Sequence, residues 1–132
     1  CHSNARRRSR AEVIWEMSVE ACMALIPPFH GGYSTWAKMW APGLAVNLQN
    51  EFASLISPQM YKEFALPLDR KVAARYPYTS FHLHGVAQHQ VDVLLQMDDL
   101  TVQQLVLEHN VGGPPLSESL PAARRILEKK PF

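Results

Sequence analysis

The chain has 132 residues, of which 47% are apolar and 19% charged, the composition of an ordinary soluble globular protein. Its 13 Lys and Arg residues balance 12 Asp and Glu residues, so a net charge of +1 gives no bulk field for binding nucleic acid. No run approaches the ~18 apolar residues that a membrane-spanning helix needs, so we expect neither nucleic acid nor membrane as a partner.

The amino-terminal part is basic over residues 1–9 and then acquires helical spacing. A targeting or nucleic-acid role needs a longer basic run or interleaved aromatic residues, so a solvated approach to a helix is the expected role. Ser9 and Glu12 have the spacing of a capping box, and Pro27 ends the apolar pattern that follows. The sequence therefore predicts a helix over about residues 10–25.

The two cysteines and the ends of the chain bear on its context. Cys1 and Cys22 form no C-x-x-C pair, which excludes a disulfide framework and a zinc ribbon and makes a reducing, cytoplasmic compartment the default expectation. The sequence begins with Cys1 rather than methionine, and its last helical pattern stops where another element is expected. We therefore interpret residues 1–132 as one partial domain, a fragment of something longer.

Three strands are predicted after an aromatic loop. Residues 29–41 are rich in aromatic residues and glycine without a clean period, which predicts an irregular loop with buried indole rings. The strands cover residues 44–49, 78–84 and 100–107, and a helical pattern follows each of them. Because helices of this length prevent hairpin pairing, the strands are expected to be parallel with right-handed crossovers. A barrel and a doubly wound sheet both fit this order, although no glycine-rich phosphate motif supports the latter.

The helices carry their own signals. Ser57-Pro58 is a strong helix start, and Pro67 is expected to kink or split the helix that follows. Three stripes of apolar residues are expected to face the core: Met60, Phe64, Leu68 and Val72 in the first helix, Val91, Leu94 and Leu95 in the second, and Leu120, Ala123 and Leu127 in the last.

Polar side chains with catalytic capacity stand at the end of each predicted strand. They are Gln49 and Glu51, His82 and His84, and Glu108 and His109. Because the carboxyl ends of parallel strands meet at one edge, we expect these groups to surround a shared cavity. This expectation depends on parallel pairing.

The histidine pair has more than one interpretation. His82 and His84 are two residues apart on a strand and point to the same face, where they can ligate one zinc ion, or hold a substrate carboxylate when protonated. They can equally be polar strand-end residues bonded to their neighbours. Glu51 can complete a zinc site, serve as an acid or base, or be a loop carboxylate, and Glu108 and His109 share this ambiguity.

The remaining histidines and the indoles carry weaker signals. His30 and His89 are interpreted as structural or solvent-facing. Trp36 and Trp40 are interpreted first as core side chains, with a substrate platform as the alternative.

Together these motifs resemble a known family. The segments Trp40-Ala-Pro-Gly43, Gln49-Asn-Glu-Phe52 and Phe81-His-Leu-His-Gly85, with the Gly-Gly-Pro-Pro115 turn, look like the fifth- to seventh-strand region of the uroporphyrinogen decarboxylase superfamily. The resemblance covers about residues 31–130. It implies an α/β fold that is part of a TIM (β/α)₈ barrel, with about three consecutive parallel βα units preceded by a helix and the aromatic loop.

The resemblance implies two activities. One is decarboxylation of a tetrapyrrole acetate side chain in porphyrin biosynthesis, a lyase reaction without a cofactor, with His82, His84 and Glu51 as catalytic residues and Gln49, Trp40, Glu108 and His109 against the small-molecule substrate. The other is zinc-dependent methyl transfer, with a methyl donor and acceptor, a corrinoid protein as partner, and zinc on His82, His84 and Glu51. The resemblance is also compatible with assembly of the protein as a homodimer.

The sequence also departs from the family. Methyltransferases of this superfamily carry His-x-Cys-Gly where this chain has His82-Leu-His84-Gly85, which puts thiol activation by the metal in doubt. Glu51 stands where the family often has Asp, and the first- and eighth-strand motifs have no counterpart. A third interpretation is therefore an inactive remnant or an interaction module that pairs with a partner. Under any of these interpretations, residues 1–132 on their own are expected to be inactive.

Overall fold

A computed structural model describes residues 28–35 and 37–131, together with Ala21 and Leu25. The basic segment 1–9 lies outside the described residues. So does the helix predicted over residues 10–25, except for Ala21 and Leu25, which are both helical. Over the described part of the chain, no helix combines the length and the apolar character needed to cross a membrane.

The protein is an α/β protein built on a three-stranded parallel sheet. Strands β3 (Ala45–Gln49), β4 (Tyr78–His84) and β5 (Val102–Val106) lie side by side in the order β3-β4-β5. The three predicted strands and their parallel pairing are thus confirmed, with ends shifted by at most two residues. Helices cross over between the strands, as this pairing requires. The closed barrel stays a prediction.

The two faces of the sheet differ in chemistry because successive side chains of a strand point to opposite sides. One face packs against the helices and forms the core. Its sheet residues are Val46, Leu48, Phe81, Leu83 and Leu105. The other face is polar, and Asn47 and Ser80 pair across it, with the Ser80 hydroxyl donating to Asn47 Oδ1 at 2.6 Å.

The aromatic loop is more regular than predicted. Strands β1 (Tyr33–Ser34) and β2 (Trp40–Ala41) form a short antiparallel pair. The expectation of a buried indole is wrong for Trp40, which is half-exposed, with its Nε1–H donating to the Phe29 carbonyl at 2.9 Å. The hydrogen bond satisfies the indole N–H at the surface. Trp36 lies outside the described residues.

The helix between β3 and β4 runs through its proline. It consists of α1 (Pro58–Met60), a π-helical turn (Tyr61–Ala65) and α2 (Leu66–Ala73), which we call together the long helix. Ser57 caps its start, with Oγ accepting from Met60 N–H at 3.2 Å, as predicted. The helix is not split at Pro67. The preceding turn switches to bonds such as Leu66 N–H to the Tyr61 carbonyl, one of the ways a helix accommodates an interrupted hydrogen-bond ladder.

The π-helical turn also changes which face of the long helix is buried. The predicted core residues Met60, Phe64 and Leu68 are exposed, with Phe64 62% accessible. The buried residues are instead Tyr61, Ala65, Leu66 and Ala73, with Val72 partly buried against the core. The predicted stripe assumes 3.6 residues per turn, and the wider π turn inserts an additional residue that shifts the register of the core face. The predicted stripe was therefore wrong except at Val72.

Two shorter helices complete the fold. Helix α3 (Val91–Leu94) follows a 3₁₀ turn (Gly85–Gln90) and buries Val91 and Leu94, as predicted. Helix α4 (Leu116–Leu127) buries Ala123 as predicted, but its Leu120 and Leu127 are exposed, which corrects the predicted core face. The face that packs on the core is lined by small residues and one isoleucine, Ser119, Ala122, Ala123 and Ile126.

A polar pair is built into the long helix. Tyr61 is fully buried, and its hydroxyl donates to Asp69 Oδ2 at 2.5 Å. Burial, reinforced by the charge of Asp69, raises the pKa of the Tyr61 phenol above its usual range. Burial also raises the pKa of the Asp69 carboxyl to about 6, although the hydrogen bond from Tyr61 acts in the opposite direction.

The exposure of Phe64 gives a stability test of the observed helix face. Replacing Phe64 by Ser should change the free energy of unfolding by no more than about 0.5 kcal/mol, because the ring is solvent-exposed. Replacing the fully buried Phe81 by Ala should cost about 3–5 kcal/mol. Urea denaturation of both variants measures this difference. A large loss in the free energy of unfolding for Phe64→Ser would indicate that the ring is buried, as the sequence predicted.

The raised pKa of Asp69 predicts a pH dependence of stability. The folded protein binds this proton more tightly than the unfolded chain, whose ordinary value is 3.8, so the free energy of unfolding should fall as pH rises from about 4 to about 6. The contribution is on the order of 1–3 kcal/mol. Asp69→Asn should remove this part of the pH profile, whereas Asp92→Asn, which changes an exposed carboxylate, should leave it. Parallel profiles for wild type and Asp69→Asn would contradict the assignment.

Candidate active site

The parallel register brings the predicted polar groups to one edge of the sheet. Gln49 pairs with His82, which pairs with Gln104, so these residues form a row across the three strands. Glu51 follows β3 and begins a 3₁₀ turn (Glu51–Ser54), and Glu108 follows β5. The expectation that the strand ends converge is thereby met.

The central feature of the edge is a hydrogen bond between His84 and Glu108. The imidazole Nδ1–H donates to Glu108 Oε1 at 2.7 Å. The second carboxylate oxygen, Oε2, accepts from Gly85 N–H at 3.2 Å. Two donors from adjacent residues of one strand end therefore fix the carboxylate, which in turn fixes the orientation of the ring.

Gly85 permits this close arrangement. A Cβ atom at Gly85 would lie 2.8 Å from the Val106 carbonyl oxygen, closer than Cβ atoms approach backbone oxygens. The glycine therefore lets the end of β4 approach β5 and the Glu108 carboxylate. This is the close backbone approach that glycine in a strand context signals.

Glu51 faces the other side of the same imidazole. Its Oε1 lies 3.6 Å from His84 Nε2 and also accepts a hydrogen bond from Gln49 Nε2. The Glu51 side chain is 72% exposed, whereas the Glu108 side chain is only 20% exposed. His84 thus stands between a sheltered carboxylate that holds it and an exposed carboxylate that is open to solvent.

His82 has a different partner. Its Nδ1–H donates to Gln104 Oε1 at 2.6 Å, and its ring lies 4.9 Å from the His84 ring at an interplanar angle of 89°. Gln104 was not among the site residues predicted from the sequence. Gln104 is identified by its position in the row with Gln49 and His82, and that position follows from the register between the strands.

The two other predicted site residues, His109 and Trp40, belong to other elements of the structure. His109 begins a 3₁₀ turn (His109–Val111) and is exposed. Trp40 belongs to the β1–β2 pair, and its described hydrogen bond is to Phe29. His30 and His89 are exposed, as expected, and His89 Nε2–H donates to the Ile56 carbonyl at 3.1 Å.

The side chains of the cluster belong to the types that exchange protons and bind cations. Two carboxylates flank one imidazole, and a second imidazole stands beside it. Among residues 28–35 and 37–131, no group of three or more His, Cys, Asp or Glu side chains is arranged to hold a metal ion. His84 Nε2 and Glu51 Oε1 are two potential metal ligands that lie 3.6 Å apart.

Comparisons with known proteins found no matching family model, no matching curated protein and no matching solved structure. The resemblance to the uroporphyrinogen decarboxylase superfamily therefore rests on the sequence motifs alone and stays a prediction.

Proposed function

We propose that the carboxyl edge of the sheet is a proton-transfer site, and that the chain contributes it to an enzyme resembling uroporphyrinogen decarboxylase. The observation that carries the proposal is the imidazole of His84, which is oriented by Glu108 through Nδ1 while its Nε2 faces the exposed Glu51. An imidazole held on one nitrogen and presented on the other is the arrangement of a general acid or base.

Decarboxylation of an acetate side chain requires such a group. When the carbon–carbon bond to the carboxylate breaks, CO₂ leaves and the electron pair remains with the ring system and its side-chain carbon. That carbon then takes a proton and becomes a methyl group. In the proposal, His84 donates this proton from Nε2, Glu108 holds the ring in place, and water returns the proton to the imidazole.

The second candidate, a zinc-dependent methyltransferase, is favoured by one distance. Two ligands of a tetrahedral zinc ion lie about 3.4 Å apart, given metal–ligand distances of ~2.0–2.2 Å. The separation of His84 Nε2 and Glu51 Oε1 is 3.6 Å, and Glu108 holds the far nitrogen as a supporting carboxylate does in many zinc sites. These residues supply two ligands, and the described residues supply no third. When bound, zinc would activate a thiol as methyl acceptor.

The decarboxylase proposal is tested with the full-length protein and uroporphyrinogen under anaerobic conditions, with products separated by chromatography. His84→Gln should lower the rate by about 10²–10⁴-fold, because positioned acid–base groups contribute that much. His30→Asn is the matched control, because His30 is exposed and its φ of 48° suits asparagine.

Two results would contradict that proposal. Equal rates for wild type and His84→Gln would show that His84 takes no part in the reaction. No turnover by the wild-type full-length protein would reject decarboxylation and favour the inactive-remnant or interaction-module interpretation.

Zinc binding is tested separately by equilibrium dialysis with the metal alone. The second candidate predicts one equivalent of zinc, lost in His84→Ala and weakened about 10–100-fold in Glu108→Ala, because supporting carboxylates contribute that much to affinity. Asp92→Asn, a change in a carboxylate paired with Arg125 at 2.9 Å, should bind like the wild type. Absence of stoichiometric zinc in the wild type would end this candidate.

A further inference from the structure

A line of three polar side chains connects the candidate site to the inside of the long helix. Asn50 Nδ2–H donates to the Tyr61 hydroxyl at 3.4 Å, and the Tyr61 hydroxyl donates to Asp69 Oδ2 at 2.5 Å. Asn50 stands in the sequence between Gln49 and Glu51, both of which belong to the site edge. The line therefore begins at the site and ends two turns along the helix.

The direction of the hydrogen bonds in this line is fixed by chemistry. A tyrosine hydroxyl has one proton, and the short bond commits it to the Asp69 carboxylate. The phenol oxygen is then left as an acceptor, which matches the amide N–H that Asn50 presents. Because Tyr61 is fully buried, water cannot replace a lost hydrogen-bond partner of its hydroxyl. Losing the bond to Asn50 or to Asp69 would therefore cost free energy.

The backbone at Asn50 is held from several sides. Gln49 belongs to the parallel ladder with β4, and the Asn50 carbonyl accepts from Ala53 N–H at 3.0 Å at the start of the 3₁₀ turn. The hydrogen bond to Tyr61 adds a link to the long helix. Glu51 is the next residue, and its exposed side chain meets His84 and Gln49. Its position against His84 therefore depends on the backbone that Asn50 anchors.

We propose that Tyr61 and Asp69 are a positioning pair that acts through Asn50 to hold Glu51 beside His84. Neither residue contacts the imidazole. This inference deepens the proposed function, because it makes residues inside the long helix responsible for placing the exposed Glu51 carboxylate of the site. Its importance for catalysis rests on the proposed function.

The test uses the side-chain nitrogen signals of His84 in long-range ¹H–¹⁵N NMR spectra of the full chain. Glu51→Gln should displace the Nε2 signal, because it removes the charge 3.6 Å away. Tyr61→Phe should displace the signal by at least half as much, and it should cause no further displacement in the Glu51→Gln background. Tyr78→Phe, which removes a phenol oxygen at the opposite end of β4, is the matched control and should cause none.

Further variants separate positioning from a general loss of structure. Asp69→Asn keeps an acceptor for the Tyr61 proton and should leave the His84 signal near its wild-type place, whereas Asp69→Leu should displace it as Tyr61→Phe does. If Tyr61→Phe does not fold, Asn50→Ala removes the side chain through which the pair acts while retaining the Tyr61–Asp69 bond, and it should give the same displacement.

The outcomes distinguish this inference from the proposed function. An unmoved His84 signal in folded Tyr61→Phe, or in folded Asn50→Ala if the former does not fold, overturns the positioning pair. Displacement by either variant without any decarboxylation by the wild type keeps the positioning pair and rejects only the proposed activity.

Discussion

The parallel pairing of β3, β4 and β5 is the constraint on which the rest of the structure depends. In this arrangement all three strands end at the same edge, and the register sets His84 two residues beyond the row that joins Gln49 and His82. The chain segments that leave β3 and β5 can then place Glu51 and Glu108 on either side of the His84 imidazole. An antiparallel pairing would send the polar strand ends to opposite edges.

The same pairing separates an apolar face from a polar one. Hydrophobic burial of the helix-covered face supplies the main driving force for folding. On the other face, the bonds from Ser80 to Asn47 and from His82 to Gln104 satisfy side chains that stand where a closed barrel would pack bulky aliphatic groups. The polar character of this face therefore extends from the site edge toward the middle of the sheet.

Features that depend on local chemistry could be predicted from the sequence. The three strands were located within two residues of their ends, and Ser57-Pro58 located the start of the long helix. The site edge was predictable because parallel strands must end together. The buried faces of the long helix and of α4 were not, because apolar residues occur on both sides of each helix. A π-helical turn then changed the register of the long helix.

The details of the site escaped prediction for a related reason. Which acceptor each histidine finds is a matter of register between strands, so Gln104 gave no signal in the sequence. The bond between Tyr61 and Asp69 joins residues eight positions apart, on a helix whose geometry the usual periodicity does not describe. Such contacts become visible only when the strands and helices are placed in three dimensions.

The convergence of the strand ends on His84 is tested most directly by nuclear Overhauser contacts in the full chain. The account predicts contacts from the His84 ring protons to the side-chain methylene protons of both Glu51 and Glu108, with none from Tyr78 to either glutamate. Contacts from Tyr78 to Glu51 or Glu108, with none from His84, would place the strand ends at opposite edges and contradict the account.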